Sequence, residues 1–332
     1  MIAALLLIQT PSLEAQVDAL VREDKVPGIV VVVRKNGKNI VRTAKGFSNL
    51  ETKTKMSLDS VHELASVSKQ FTAVATMKLV ENGKLSLTDP LSKFVKEPPE
   101  LWKKVTVQNL LEHTSGLPDY LTDDLDLGKN FTVPELIASI KDKPLLFEPG
   151  SRWAYSNSGY MALGHVIETA SGKPLASFVG EEIIKPAGMK SAIVANPHSI
   201  LPNRATGYSR HGKAWQNEAY VSPGLSATAD GMMWASANDL LAWHSALVKG
   251  QILSKASWQK MWTPSAQSSN RYGFGIGVER AGEKPRLAHS GGWIGTGTFL
   301  MSDLETDSAI IVLVNCDSAP FPDLIKAAVS RL

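Results

Sequence analysis

The chain has 332 residues, 43% of them hydrophobic, and a formal net charge of +3. That length and apolar content suffice for a large core shared by two interleaved lobes. The charge is too small, and the Lys and Arg residues too scattered, for a nucleic-acid partner; Lys103-Lys104 and similar pairs read as solvated faces. No repeat or low-complexity tract is visible. The lone cysteine, Cys316, excludes an intramolecular disulfide, and its place after the apolar run Ala309 to Val314 predicts a buried thiol.

At the N-terminus, Met1 to Ile8 are almost wholly apolar, too short to span a membrane and without the basic start of a full signal peptide. Residues 1–11 therefore read as a clipped signal segment, with a hydrophobic arm packed on the domain as the alternative. A periplasmic or secreted location is the expectation over a cytoplasmic one, and no transmembrane segment is expected. Ser12 can cap a helix that carries Leu13, Val17, Leu20 and Val21 on one face. Pro27 to Val33 and Asn39 to Ala44 flank Lys35-Asn36-Gly37, whose Asn-Gly pair predicts a hairpin turn.

Ser66-Val67-Ser68-Lys69 opens a segment with Phe71, Val74, Met77 and Leu79 in helical rhythm and Gly83 as its stop signal. A serine hydroxyl barely ionises at neutral pH, and a lysine three residues on can take its proton if its own pKa is depressed. Unpaired N–H groups and the helix dipole at this N-terminus would favour an oxyanion, and the spacing puts Lys69 on the face of Ser66. A second S-x-x-K, Ser257-Trp258-Gln259-Lys260, lies inside a short segment capped by Ser254 and reads as an ordinary, partly exposed helix.

From Ser66 to Ala187 helical patterns dominate, including Gly159 to Ala170 and Leu175 to Ile184. Tyr155-Ser156-Asn157 follows a Pro149-Gly150 turn, so a loop delivers it; Ser236-Ala237-Asn238 and Ser268-Ser269-Asn270 match S-x-N but lack the phenol. After Tyr272 come three or four strand-like runs, and Gly273, Gly275 and Gly277 alternate on one of them without forming a dinucleotide fingerprint. His289-Ser290-Gly291 follows Arg286, Leu287 and Ala288 and precedes Gly292, which lets a substrate approach the backbone.

Strands at both ends with helices between predict an α/β (α+β) fold: one antiparallel sheet flanked by N- and C-terminal helices, with an inserted all-helical lobe. The sheet lobe is expected over residues 12–62 and 225–332 and the mainly helical lobe over 63–224, with the active site at their junction.

The three motifs together resemble those of the serine β-lactamase and penicillin-binding protein superfamily, S-x-x-K, S-D-N and K-T-G. Tyr-x-Asn and His-x-Gly in the second and third places are similar to the class C β-lactamase, D-alanyl-D-alanine peptidase, D-aminopeptidase and esterase branch. Leu110 to Pro118 (LLEHTSGLP), Pro149-Gly150-Ser151 and Tyr272-Gly273-Phe274-Gly275 extend the resemblance from about Leu13 to the C-terminus. It implies a β-lactamase/transpeptidase-like fold and a serine hydrolase that forms an acyl-enzyme on a small ester, amide or D-amino-acid peptide. By that resemblance Ser66 is the nucleophile, Lys69 and Tyr155 handle protons, and Asn157 holds the acyl-side amide. Backbone N–H groups of Ser66 and Gly292 form the oxyanion hole, with His289, Ser290, Gly291 and Trp293 on the adjoining strand.

A lysine at the place of His289 would present a full charge to a β-lactam carboxylate, whereas histidine near pH 7 is mostly neutral. Weak turnover of penicillins and cephalosporins is therefore expected. The glutamate that activates the deacylating water in class A enzymes has no evident counterpart, so Lys69 and Tyr155 would serve both half-reactions. The alternative is a β-lactam sensor or interaction protein on the same scaffold that does not turn over. No G-x-S-x-G is present, Ser66 stands where a zincin following His62-Glu63 needs its second histidine, and His165 with Glu168 does not make a metal site. No cofactor or metal is called for. Of eight tryptophans, among them Trp153, Trp215 and Trp234, most are expected in the core, and Trp293 is the candidate for a pocket wall.

Overall fold

The computed structural model describes residues 11–194, 200–218 and 220–332. The expectation of a signal segment falls chiefly on residues 1–10, outside the described residues. A seven-stranded antiparallel sheet runs in the order Thr54–Lys55, Lys38–Asn49, Gly28–Lys35, Ser308–Val314, Thr296–Asp303, Arg286–Trp293, Gly277–Arg280. The N-terminal hairpin thus lies beside the C-terminal strands, with Ile29 opposite Val314 and Val33 opposite Ile310.

The central strands are apolar on both faces because both are covered. Ile29, Val31, Val33, Phe299, Ile310 and Val312 face one core with Leu13, Val17, Leu324 and Ala328 of the terminal helices Leu13–Arg22 and Phe321–Val329. Their alternates Val30, Val32, Leu300, Ile311 and Leu313 face the larger core, as the two-residue period of a strand requires. Ser12 caps the first helix as expected, its Oγ accepting the Ala15 N–H at 3.2 Å. Cys316 is fully buried, and burial pushes its thiol up to about 11.

Helix Lys69–Glu81 runs through the larger core with ten buried residues and ends before Gly83 at φ +66°. Because it is covered nearly all round, its polar side chains find internal partners. Gln70 accepts from Trp243 Nε1 at 2.6 Å, and Thr72 donates to the Ala229 carbonyl at 2.5 Å. It packs against Asn157–Ser171, so the N-termini of both helices open on one side. The segment Leu175 to Ile184 is helical throughout, passing from α-helix to a π-turn at Gly180.

Two sequence expectations need correction. The inserted lobe is not purely helical: Tyr208–His211 and Ala214–Asn217 form a two-stranded ribbon about Gly212 at φ +61°. Its polar run gave no alternating signal. Long-range contacts hold it, with the Tyr208 phenol accepting the Leu50 N–H at 2.7 Å and Trp215 Nε1 donating to Asp24 at 2.7 Å. Gly273, Gly275 and Gly277 do not share a strand either, since the strand begins only at Gly277. Gly275 has φ +72°, and a Cβ there would lie 2.5 Å from the Lys69 carbonyl, so close packing on the Ser66 helix explains that glycine.

Candidate active site

Ser66 lies in a 3-10 turn, Ala65–Ser68, that leads directly into helix Lys69–Glu81. Ala65 has φ +47°, a left-handed conformation that costs a non-glycine residue about 1 to 2 kcal/mol. That bend turns the chain from strand His62–Glu63 into the helix and leaves Ser66 half-buried beside a cleft of about 250 Å3. The second S-x-x-K has no such setting. Ser257 is buried within helix Lys255–Trp262, where its N–H donates to the capping Ser254 hydroxyl.

Lys69 is fully buried and its Nζ donates three times: to Ser66 Oγ at 3.2 Å, Asn157 Oδ1 at 3.0 Å and the Asp230 carbonyl at 3.0 Å. Burial lowers its pKa to about 8, against the pull of Asp230 and then Asp119. The same Nζ lies 4.8 Å from the centre of the Tyr155 ring. Burial raises the Tyr155 phenol well above its ordinary value, while the nearby Ser66 hydroxyl opposes part of the rise. Tyr155 is therefore a phenol at neutral pH, and Lys69 is the group nearer to releasing its proton.

His113 fixes Tyr155 from both sides. Its carbonyl accepts the Ala154 N–H at 2.9 Å, its Nδ1 accepts the Ser156 N–H at 3.0 Å, and its ring lies 4.5 Å from that of Tyr155. Accepting at Nδ1 places the proton on Nε2. Ser156 then caps helix Asn157–Ser171 through a bond from the Gly159 N–H, so Tyr155 ends a loop where Asn157 starts a helix. Asn157 is held by Asp119, whose Oδ2 accepts from both its N–H and its Nδ2 at 3.2 Å.

Strand Gly277–Arg280 pairs with its neighbour only as far as Ala288. Beyond it, His289 to Trp293 pair with the strand Thr296–Asp303 on one side and pack against the Ser66 turn on the other. Gly291 makes this approach possible: a Cβ there would lie 2.2 Å from the Leu64 carbonyl and 3.2 Å from Ser66 N. Ser290 and Gly292 are exposed, and Gly292 and Trp293 line the cleft. In the neutral His289 ring Nδ1 carries the proton, because it can only donate to the Ser290 carbonyl, at 2.6 Å, and Nε2 then accepts from the Tyr272 hydroxyl at 2.9 Å. Burial, then the Lys69 charge, lowers its pKa to about 4.

All nine residues singled out in the sequence thus lie on the cleft or on the segments that frame it. The sequence missed His113, Asp119 and Asp230. His113 and Asp119 lie in or next to the stretch Leu110 to Pro118, which was legible as a motif but not as a function. Asp230 gave no local signal. Two other histidines are structural: His165 bonds the Phe94 carbonyl at 3.0 Å, and buried His62 sits on its short strand with a pKa lowered by burial to about 3. Trp258 and Trp243 are core, as expected for most tryptophans.

A serine, lysine and tyrosine so arranged, on a sheet-and-helix frame that opens at a strand edge, define an active-site serine protein of the acyl-transfer type. Comparison with known families makes the assignment definite: the beta-lactamase family model matches residues 13–331, and the chain belongs to that family. It is 32% identical to penicillin-binding protein 4* of Bacillus subtilis over 86% of this chain and 67% of the relative. It is 30% identical to the D-aminopeptidase of Brucella anthropi over 86% of this chain and 56% of that relative. The chain thus spans between about half and two thirds of the length of these two. Among solved structures, an octameric penicillin-binding protein homologue from Pyrococcus abyssi superposes with a TM-score of 0.82 at 28% identity, covering 96% of this chain and 76% of that one. A D-stereospecific amidohydrolase from Streptomyces shares the fold with a TM-score of 0.82 at 24% identity, covering 96% and 98%. The expected superfamily and fold class are borne out, and with them the hydrolase class of the family's named enzymes.

Proposed function

We propose that this chain hydrolyses small esters, amides or peptides through an acyl-enzyme on Ser66. The observation that carries the reading is the meeting of Ser66, Asn157 and the Asp230 carbonyl at one lysine Nζ, beside the Tyr155 phenol and an open cleft. In acylation, Ser66 Oγ bonds to the substrate carbonyl carbon as its proton passes to neutral Lys69. The proton then moves through Tyr155 to the departing amine or alcohol, and the carbon–leaving-group bond breaks. In deacylation, water gives its proton to the same pair and its oxygen to the carbonyl, releasing the acid and restoring the serine. Proton transfer of this kind contributes about a hundred- to ten-thousandfold. The Ser66 and Gly292 N–H groups serve the oxyanion, at about 3 to 4 kcal/mol per donor.

The test is rapid-mixing kinetics with a p-nitrophenyl ester, with the mass of the protein followed in parallel. A burst of nitrophenol, a Ser66 adduct and continuing release are expected. A stoichiometric burst without turnover would leave the sensor alternative standing. Retention of turnover in Tyr155→Phe would remove the tyrosine from the proton path.

A further inference from the structure

A second, smaller cavity of about 10 Å3 adjoins the cleft at Glu63, which lines both. Glu218 lines it from the other side, in a seat made by two glycines: a Cβ on Gly207 or Gly295 would lie 1.9 or 2.2 Å from its Oε2. Asn315 lines it too, and its Nδ2 donates to the Phe47 and Thr206 carbonyls at 3.2 and 3.0 Å, which turns Oδ1 away from them. Among the described residues, that Oδ1 and the His62 Nε2 find no hydrogen-bond partner, although both residues are at most 2% exposed. Buried polar atoms rarely stay unpaired, so two of them beside two carboxyls call for an occupant.

The charged groups around this cavity are few. Arg204 stacks on the Trp234 ring at 4.6 Å, and its charge favours ionisation of both Glu63 and Glu218. Asp317, whose Oδ2 accepts from the Ser209 hydroxyl and from the Gly295 N–H at 3.3 Å, opposes ionisation of Glu218. His62 is neutral, burial lowering its pKa to about 3, and burial keeps Cys316 a thiol. Asp230, raised by its own burial and bonded by Tyr120, belongs to the Lys69 cluster and does not line this cavity. One cation thus faces two carboxyls. Burial and then Glu218 raise the Glu63 pKa to about 8 against the pull of Arg204, and burial raises Glu218 as well.

We infer that Glu63 and Glu218 hold one proton between them at neutral pH across a single bound water, which also satisfies His62 Nε2 and Asn315 Oδ1. The volume admits one water and nothing larger, and a buried water needs two to four polar partners, which these four groups supply. With one proton, the pair carries one negative charge, and Arg204 balances it. The two carboxyls then titrate as a unit. The pair also joins the nucleophile strand to the turn behind Trp293: Glu218 is seated on Gly295, and Thr296 Oγ1 donates to the Glu63 carbonyl at 3.1 Å. While the proton stays on Glu63 the adjoining cleft wall is uncharged, and its loss makes that wall anionic.

The inference is independent of the hydrolase reading, since none of its readouts is turnover. A high-resolution crystal structure at pH 6 should show one water bonded to His62, Asn315 and at least one of the two carboxyls. Infrared difference spectra between pH 6 and 9 should contain the C=O band of a protonated carboxyl that disappears near pH 8. Glu63→Gln should remove that component, and Glu218→Gln, which deletes the like charge, should move it to lower pH. Melting temperatures carry the same signal. Because the folded pKa lies above the ordinary 4.5, the proton's contribution to stability is complete below about pH 4.5 and declines as the pH rises toward 8. Glutamine does not ionise, so the melting temperature of Glu63→Gln minus that of the unmodified protein should increase by about 5 °C from pH 5 to 8 and stay level above. A difference constant with pH, or an infrared component unchanged in Glu63→Gln, would overturn the shared proton. A dry cavity in the crystal, or a melting temperature that depends on sodium or potassium at constant ionic strength, would overturn the water. Should Glu63→Gln not fold, the crystal structure of the unmodified protein and the infrared shift in Glu218→Gln decide.

Discussion

The charge on Lys69 should set the pH dependence of the reaction. Its Nζ donates three hydrogen bonds as an ammonium and becomes a proton acceptor only after losing one proton. Burial lowers its pKa to about 8, so the neutral fraction is about 1% at pH 6, about 9% at pH 7 and about 90% at pH 9. The sign follows: kcat/KM for an uncharged ester should rise about ninefold from pH 6 to 7, about fivefold from pH 7 to 8, and level off above that. The assay is p-nitrophenyl acetate turnover from pH 6 to 9, corrected for spontaneous hydrolysis. Asp230 attracts the lysine charge, so Asp230→Asn should move the rising limb to lower pH. Lys69→Arg, whose charge cannot be shed, should lose at least about a hundredfold at every pH. A profile flat from 6 to 9, a limb near 6.5, or an upward shift in Asp230→Asn would refute the assignment of Lys69 as the base.

The two glycines after Ser290 should respond oppositely to alanine. Gly291→Ala forces a Cβ to 2.2 Å from the Leu64 carbonyl and should abolish activity or soluble expression. A Cβ on Gly292 meets nothing within 4 Å, so Gly292→Ala should keep its melting temperature and change KM, because the methyl enters the cleft. His289, neutral down to about pH 4, offers a β-lactam carboxylate no charge, so nitrocefin turnover should be weak and independent of pH between 5.5 and 7.5 apart from the lysine limb. His113→Ala leaves the Ser156 N–H unmet and empties a site packed on Tyr155, Tyr160 and Tyr272. It should cost about 2 to 4 kcal/mol in urea unfolding and lower kcat more than it raises KM. An unchanged kcat would show that Tyr155 keeps its place without the imidazole.

Much of the frame was legible because it is encoded locally. The Asn36-Gly37 turn, the Ser12 cap, the Gly83 stop and the apolar alternation of the C-terminal strands each depend on residues a few positions apart. The same holds for choosing Ser66 over Ser257, since the apolar rhythm after Ser66 marks a helix that must be buried. Ribbon Tyr208 to Asn217 and the turn at Gly275 escaped for the converse reason, being shaped by Leu50, Asp24 and the Lys69 backbone, which are distant in sequence.

The sequence alone determined which side chains could do chemistry: a serine with a lysine one helical turn away, a tyrosine on a loop and a histidine before two glycines. Only the tertiary structure decided their state. Lys69 nears neutrality because the fold encloses it, and it is kept from going further by Asp119 and Asp230, which lie 50 and 161 positions along the chain. A residue's chemical type is fixed by its own atoms, but its charge depends on the solvent it loses and the charges it meets, and both follow from long-range packing.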